Sequence, residues 1–424
     1  MAPRQAPPGG RRAWLMLIVL TMLTTTGMTI VLPILPFVVL RYVPSHGTLA
    51  VWVGVLETVN ALCAFVAAPF LGRASDRFGR RPVIIVAAFG SALGYLLFGI
   101  GGSIWVLLLG RMVQGITAGD LPALFAYLAD ITPPAQRAKR FGLLGALSGI
   151  GTMVGPALGG LLAAVNVDLP VFATAAVALV IAALSIAVLP ESLRPENRAA
   201  RLELRALHPF GAFREAFGRR ELRGLLVGLV LVTMPFMFFV NNFSVLAIDQ
   251  IRWNPTQIGF LTATVGIVDI VIQGGLLGLL LPRIGERGVV VSGVATQALG
   301  CLALAVVGSL LAQPWLFVVG TLALAAGQGG ATAAMDGLLS GAVGDDEQGW
   351  LAGTTQSLSS AIGMVAPLLA GVLYAGIAHS APYWLGLVMM SAAAIVLARA
   401  RFDSPSRRPA GSRAHDDQGV AVPA

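Results

Sequence analysis

The chain has 424 residues, of which 56% are hydrophobic and only 11% charged, and its formal net charge is +8. A soluble domain carries about 25% charged residues, so this composition excludes a water-soluble globular protein and points to a chain solvated mainly by lipid. The two cysteines, Cys63 and Cys301, both lie inside apolar runs, which excludes a disulfide-built fold.

Crossing a bilayer takes roughly 20 apolar residues per helix. Twelve such runs follow one another, spans 1 to 12, at approximately 13–40, 50–71, 83–101, 104–128, 140–165, 170–190, 223–248, 256–281, 288–311, 314–341, 350–377 and 381–401. They predict an all-α integral membrane protein with twelve transmembrane helices. The predicted layout is an N-terminal tail (1–12), a six-helix half (13–190), a linker (191–222), a second six-helix half (223–401) and a disordered tail (402–424). The basic N-terminus precedes a run that is too long for a cleavable signal peptide and has no cleavage site.

With the N-terminus inside, 25 of the 28 Lys and Arg residues fall in the tails and loops of one side. The positive-inside rule makes that side cytoplasmic, with both termini there. Trp14, Trp52, Trp105, Trp253, Trp315, Trp350 and Trp384 fall near predicted span ends, where aromatic belts sit. The net charge therefore reflects topology and anionic lipid contact, and no nucleic-acid partner is implied.

The break between spans 2 and 3 reads Gly72-Arg-Ala-Ser-Asp-Arg-Phe-Gly-Arg-Arg-Pro82. It resembles the loop-2/3 signature of the major facilitator superfamily, Gly-x-x-x-Asp-Arg-x-Gly-Arg-Arg. The resemblance implies a secondary transporter and a latch on the cytoplasmic side, made of Gly72, Asp76, Arg77, Gly79, Arg80, Arg81 and Asp130. Asp76 is expected by the N-terminus of span 11, near Trp350, where the helix dipole favours an anion. Arg77, Arg80 and Arg81 are expected to reach Asp130.

Span 4 carries Arg111-Met-Val-Gln114-Gly115, which is similar to the family's Arg-x-x-Gln-Gly signature. A charge inside a span is a functional hypothesis by default. Glu57 and Arg111 follow Trp52 and Trp105 by five and six residues, which at 1.5 Å per residue puts both about 8–9 Å deep and able to pair. Asp120 and Asp269 each lie about 22 Å from the outer end of their spans. A carboxyl withdrawn from water there is a candidate proton carrier, or else is neutralised by hydrogen bonds between helices.

In span 5, Gly142, Gly151, Gly155-Pro156 and Gly159-Gly160 fit the signature associated with drug/proton antiporters. In physical terms the glycines permit close helix contact, and Pro156 kinks the helix. In span 7, Phe236, Met237, Phe239, Asn241 and Asn242, together with Gln114, are candidates for a substrate pocket.

The halves, 13–190 and 223–401, are of nearly equal length and share short matches. The stretch ending at Pro156 aligns with the one ending at Pro367, and Gly72/Gly79 with Gly278/Gly285, although Pro282 replaces the acid in the second half. Paired halves with a site near the midplane are what such transporters look like.

The whole resembles the twelve-span drug/proton antiporters, tetracycline-type efflux proteins above all, with a departure around Gly119-Asp120-Leu-Pro122. The implied function is proton-coupled efflux of drug-like molecules by a non-enzymatic monomer in a bacterial cell membrane. The alternatives are an uptake symporter on the same fold and a non-transporting sensor or scaffold. No cofactor is expected. The only lysine, Lys139, cannot complete a phosphate-binding loop, so ATP is not the driver. His46, His208, His379 and His415 lie in loops or tails, which leaves no basis for a metal cluster.

Overall fold

The computed structural model describes residues 10–43, 46–198, 215–344 and 347–399. The predicted C-terminal tail, most of the N-terminal tail and the middle of the linker lie outside the described residues. Among the described residues there are helices and turns and no strand.

Among the described residues, ten helices are long and apolar enough to cross a membrane, and Ala381–Leu397 is a shorter apolar one. The 55-residue run Pro255–Ser309 counts as two, because the backbone breaks at Gly285 (φ 69°). That makes twelve. Span 1 is Gly10–Ile30 with a short continuation, Leu35–Val39, after Pro33. Spans 2 and 3 are His46–Phe78 and Arg80–Ile100. Spans 5 and 6 are Pro134–Val165 and Leu169–Ala187, and span 7 is Arg220–Leu246. Spans 10, 11 and 12 are Pro314–Gly341, Gln348–Gly376 and Ala381–Arg399.

Besides span 1, spans 4, 7 and 8 depart from a continuous α-helix among the described residues. Span 4 is broken into Ile104–Ile116 and Asp120–Ile131, where a single helix was expected. Span 7 ends in a π-helical turn, Ala247–Ile251, and span 8 contains another, Ile272–Leu276. Irregular backbone inside a membrane is tolerated only where it is buried in protein or lines a cavity, and π-turns recur at functional sites.

The two halves pack by one plan. Span 1 lies against spans 5 and 6, span 3 against 4 and 6, and span 2 against 4. The same pairs recur six spans later: 7 with 11 and 12, 9 with 10 and 12, and 8 with 10. The halves meet along spans 2 and 11 and along spans 5 and 8.

The apolar core divides unevenly between the ends. One buried cluster draws on both halves, including Ile34, Val53, Leu56, Phe98, Phe239, Phe243, Phe317 and Tyr374. The other two are confined to one half each, around Leu124 and Tyr127 in the first and around Leu226 and Met335 in the second. These separate clusters lie toward the arginine-rich loops. The halves therefore share a core at one end and diverge toward the other.

Candidate functional site

A cavity of about 290 Å³ opens inside the first half. Glu57, Asn60, Tyr95, Arg111, Gln114 and Asp120 line it, with Thr24 and Thr174 among the other wall residues. Spans 1, 2, 3, 4 and 6 each supply part of the wall.

Arg111 organises the site. Its guanidinium Nη2 donates to Glu57 Oε1 at 2.7 Å and its Nη1 to Gln114 Oε1 at 3.1 Å. It also lies over the Phe98 ring, 5.2 Å from the centroid. The amide of Asn60, one turn after Glu57, donates to the Arg111 carbonyl at 3.1 Å. Glu57 and Arg111 pair as expected, and the Trp52 and Trp105 rings lie edge to face with centroids 6.0 Å apart. Arg111 is 7% exposed and Glu57 lies half-buried beside it. Removing one member of such a pair leaves the other as an uncompensated charge.

Asp120 enters the cavity because span 4 breaks. The first segment ends at Ile116, and after Gly119 the chain restarts a helix with Asp120 in its first turn. A carboxylate at a helix N-terminus sits in the favourable end of the helix dipole. Its Oδ1 accepts the Leu121 N–H at 2.9 Å. Pro122 is tolerated there because the first turn of a helix needs no backbone donor. Arg111 Nε, Gln114 Nε2 and Thr24 Oγ1 are buried with no hydrogen-bond partner among the described residues. A cavity walled by unused polar groups is suited to a guest that hydrogen-bonds.

Not every predicted residue joins this site. Asp269 lines neither of the two cavities described here. It accepts a hydrogen bond from Gln273 at 2.7 Å on the π-turn of span 8 and lies against Gly329 of span 10. Of the span-7 candidates, Met237 and Asn241 line a second, smaller cavity between the halves. Phe239 is buried in the shared core with Phe236 packed against it, and Asn242 donates to the Ala370 carbonyl at 2.9 Å. Sequence reading missed Tyr95, Asn60 and Thr24. Only Asn60 carried a signal, its one-turn spacing from Glu57.

The loop-2/3 residues make a network, but not the expected one. Arg80 pairs with Asp76 at 2.6 Å and with Asp130 at 3.1 Å. Arg81 donates to the carbonyls of Ser185 and Ile186, and Arg77 lies over the Phe78 ring. The backbone N–H groups of Arg80 and Arg81 point at the Glu191 carboxylate. Gly79 has φ 110°, and a Cβ there would fall on that carboxylate. Gly72 has open space beside it. Asp76 does not reach span 11, where Arg219 lies over the Trp350 ring instead, 4.5 Å from the centroid.

The span-5 glycines are contact points. A Cβ at Gly151, Gly155 or Gly159 would strike span 1 at Thr25, Thr29 or the Ile30 carbonyl, and Gly160 meets Gly259 of span 8. Gly142 has open space beside it. Pro156 lies within this helix, and a Cβ at Gly259 would meet its carbonyl at 2.6 Å.

The sequence matches the profile of the Major Facilitator Superfamily over residues 17–268 and again over 236–423. The chain belongs to that superfamily. It is a multi-pass membrane transporter and not an enzyme. The tetracycline resistance protein, class C, of Escherichia coli is 34% identical over 375 residues, covering 88% of this chain and 92% of that one. The class B protein of Escherichia coli is 30% identical over 377 residues, covering 88% and 90%. The fold of a D-xylose-proton symporter superposes with a TM-score of 0.70 at 16% identity, covering 92% of this chain and 97% of that one. The human organic anion transporter MFSD10 superposes with a TM-score of 0.64 at 21% identity, covering 92% and 100%.

Proposed function

We propose that this protein is a proton-coupled antiporter that exports drug-like molecules, of tetracycline or multidrug type, by alternating access. The arginine-rich loops face the cytoplasm in this reading, so the open end admits substrate from inside. It acts as a monomer and uses no ATP. The relatives named for tetracycline resistance support the substrate class, and the complete span-5 motif supports antiport.

The observation that carries the reading is Asp120, a carboxyl 9% exposed in the wall of a cavity that also holds the Glu57–Arg111 pair. Coupling requires that the carboxyl favour substrate in one protonation state, because only differential affinity shifts a conformational equilibrium. Asp120→Asn removes the exchangeable proton while keeping the shape. In inverted vesicles, tetracycline uptake driven by an imposed pH gradient is expected to disappear in this variant, while downhill exchange persists. Full gradient-driven uptake by Asp120→Asn would overturn the assignment. Asp269→Asn is expected to shift the pH optimum of transport.

A second reading, proton-coupled nutrient uptake, is favoured by the fold shared with the xylose symporter. The same vesicles separate the two, since a symporter moves substrate with the proton flow and an antiporter against it.

A further inference from the structure

Each half of the molecule places a guanidinium over an indole at its arginine-rich end. In the second half Arg219, just before span 7, lies over Trp350 of span 11, 4.5 Å from the ring centroid. In the first half Arg140 of span 5 lies over Trp14 of span 1 at 5.2 Å. Spans 1 and 5 correspond to spans 7 and 11 in the packing plan, so this is one contact made twice with the partners exchanged.

The two copies differ in charge balance. Arg219 makes two bonds of 2.9 Å to the Glu347 carboxylate and a third to Glu215. Among the described residues no carboxylate pairs with Arg140. The sequence supplies none close by, since residues 10–15 and 132–142 contain no Asp or Glu. Asp130, the nearest acid along the chain, accepts from Arg80 and Ser192 instead. Arg12, two residues before Trp14, and Lys139 are exposed and add cations to the same junction.

The half without a carboxylate has a place for an anion from outside the chain. A guanidinium fork matches two oxygens of a phosphate as it does those of a carboxylate. The cytoplasmic leaflet carries anionic phospholipids, and basic pockets between helix ends on that side hold their headgroups. Trp14 marks the headgroup level, where indole rings sit. Toward the bilayer, Leu15 and Leu143 are exposed and offer apolar surface to an acyl chain. A soluble anion would use the cations but not the leucines, so the lipid fits more of what the junction presents.

We propose that the junction of spans 1 and 5 binds the phosphate of an anionic phospholipid. Arg140 is its main contact, and the phosphate takes the role that the Glu347 carboxylate has in the other half. The site is independent of the transport reading, since it needs neither substrate nor proton. The lipid joins span 1 to span 5 there, as the Arg219–Glu347 pair joins the start of span 7 to that of span 11.

The test uses the purified full-length protein in detergent, with bound lipids counted by native mass spectrometry. The probes are dioleoylphosphatidylglycerol and dioleoylphosphatidylcholine, whose choline neutralises the same phosphate, with glycerol phosphate as a soluble competitor. The first phosphatidylglycerol is expected to bind at least about tenfold more tightly than phosphatidylcholine. Arg140→Gln should cut that preference to about twofold or less. Arg283→Gln, which removes an exposed arginine between spans 8 and 9, should leave it unchanged. Glu215→Gln/Glu347→Gln strips Arg219 of its carboxylates and should bind one phosphatidylglycerol more than the parent. That gain does not depend on how well Arg140→Gln folds. Equal binding of the two lipids by the parent, equal losses in Arg140→Gln and Arg283→Gln, or no additional lipid in the double variant overturns the site. Displacement of phosphatidylglycerol by an equal concentration of glycerol phosphate would make this a site for soluble anions and overturns the lipid as its occupant.

Discussion

At the end away from the arginines, the two halves touch through glycine and backbone. A Cβ at Gly54 of span 2 would fall on the Pro367 carbonyl of span 11, and one at Gly371 of span 11 on the Ala50 carbonyl of span 2. Thr58 Oγ1 accepts the Leu368 N–H across the same seam at 3.2 Å. Gly160 and Gly259 bring spans 5 and 8 equally close. At the arginine-rich end the same four helices have parted. Gly72 and Gly353, on spans 2 and 11, have open space beside them, as do Gly145 and Gly274 on spans 5 and 8. What organises this end is charge: Asp76–Arg80–Asp130 in one half, and Arg219 clamped on Glu347 in the other. Close packing is short-ranged and tolerates no added atom, so the sealed end opens as a unit. Accessible ion pairs contribute little each, and those of Asp76 (55% exposed) and of Arg219 with Glu347 (36% each) can exchange partners, so the charged end can close by re-pairing. Dry contact holds one end together, and exchangeable charge organises the other.

The largest effect is expected midway between the ends, at Glu57 and Arg111. Glu57→Gln or Arg111→Gln alone leaves one buried charge uncompensated, a loss of about 3–5 kcal/mol. The double variant removes both charges and should unfold at a higher temperature than either single one. Thermal unfolding in detergent decides the matter: strictly additive losses would show that the pair carries no coupling energy.

Next in size is the sealed end. Gly54→Leu places a side chain where the Pro367 carbonyl lies, and overpacking costs about 1–3 kcal/mol. Because the clash exists only when this end is closed, the variant should favour the state open there. A cysteine at Ala50, which is fully buried in the seam beside Gly371 and already carries a Cβ, in a Cys63→Ser, Cys301→Ser background, should then react faster with a membrane-impermeant maleimide. Unchanged labelling would mean that the glycine seam is not a gate. Thr58→Val tests the same seam more gently. It removes one cross-half hydrogen bond worth about 1 kcal/mol, and labelling should rise by a smaller factor than in Gly54→Leu.

The contrast between the ends also explains what could be read from the sequence. The twelve spans, the two halves and the Glu57–Arg111 pair were legible because apolar run length and rise per residue are fixed by helix geometry. Asp120 was legible as an intramembrane acid, but the break at Thr117–Gly119 that aims it into the cavity was not, since Gly119 alone does not announce a helix restart. The span-7 run was misread in part because sequence does not say which face of a helix meets the core. Phe239 and Asn242 turn inward to packing while Met237 and Asn241 reach the second cavity. Asp76 was matched to span 11, yet it pairs with Arg80, because the sequence does not say which of the nearby cations an exposed carboxylate takes.

The smallest effect, and the one that tests whether the charged end closes by exchange, concerns Arg219. Its guanidinium makes two 2.9 Å bonds to Glu347, at the start of span 11, and a third to Glu215. This occupies the helix terminus that Asp76 would meet if spans 2 and 11 came together. Arg219→Gln should therefore ease closure, and a Gly72→Cys/Gly353→Cys pair in the Cys63→Ser, Cys301→Ser background should cross-link faster. Asp76→Asn in the same pair should slow it. Acidity offers a second handle on the clamp. The hydrogen bond from Arg219 holds the Glu347 carboxyl below its ordinary range. A carboxyl lowered on folding contributes stability above its unfolded value and loses it as pH falls through the lowered one. Measured relative to a reference cysteine pair that reports the pH dependence of the thiols themselves, cross-linking should therefore be flat from pH 8 to pH 6 and rise only at or below the ordinary carboxylate range, about pH 4. An increase centred near neutral pH would assign the release to another group and remove Glu347 as the holding charge.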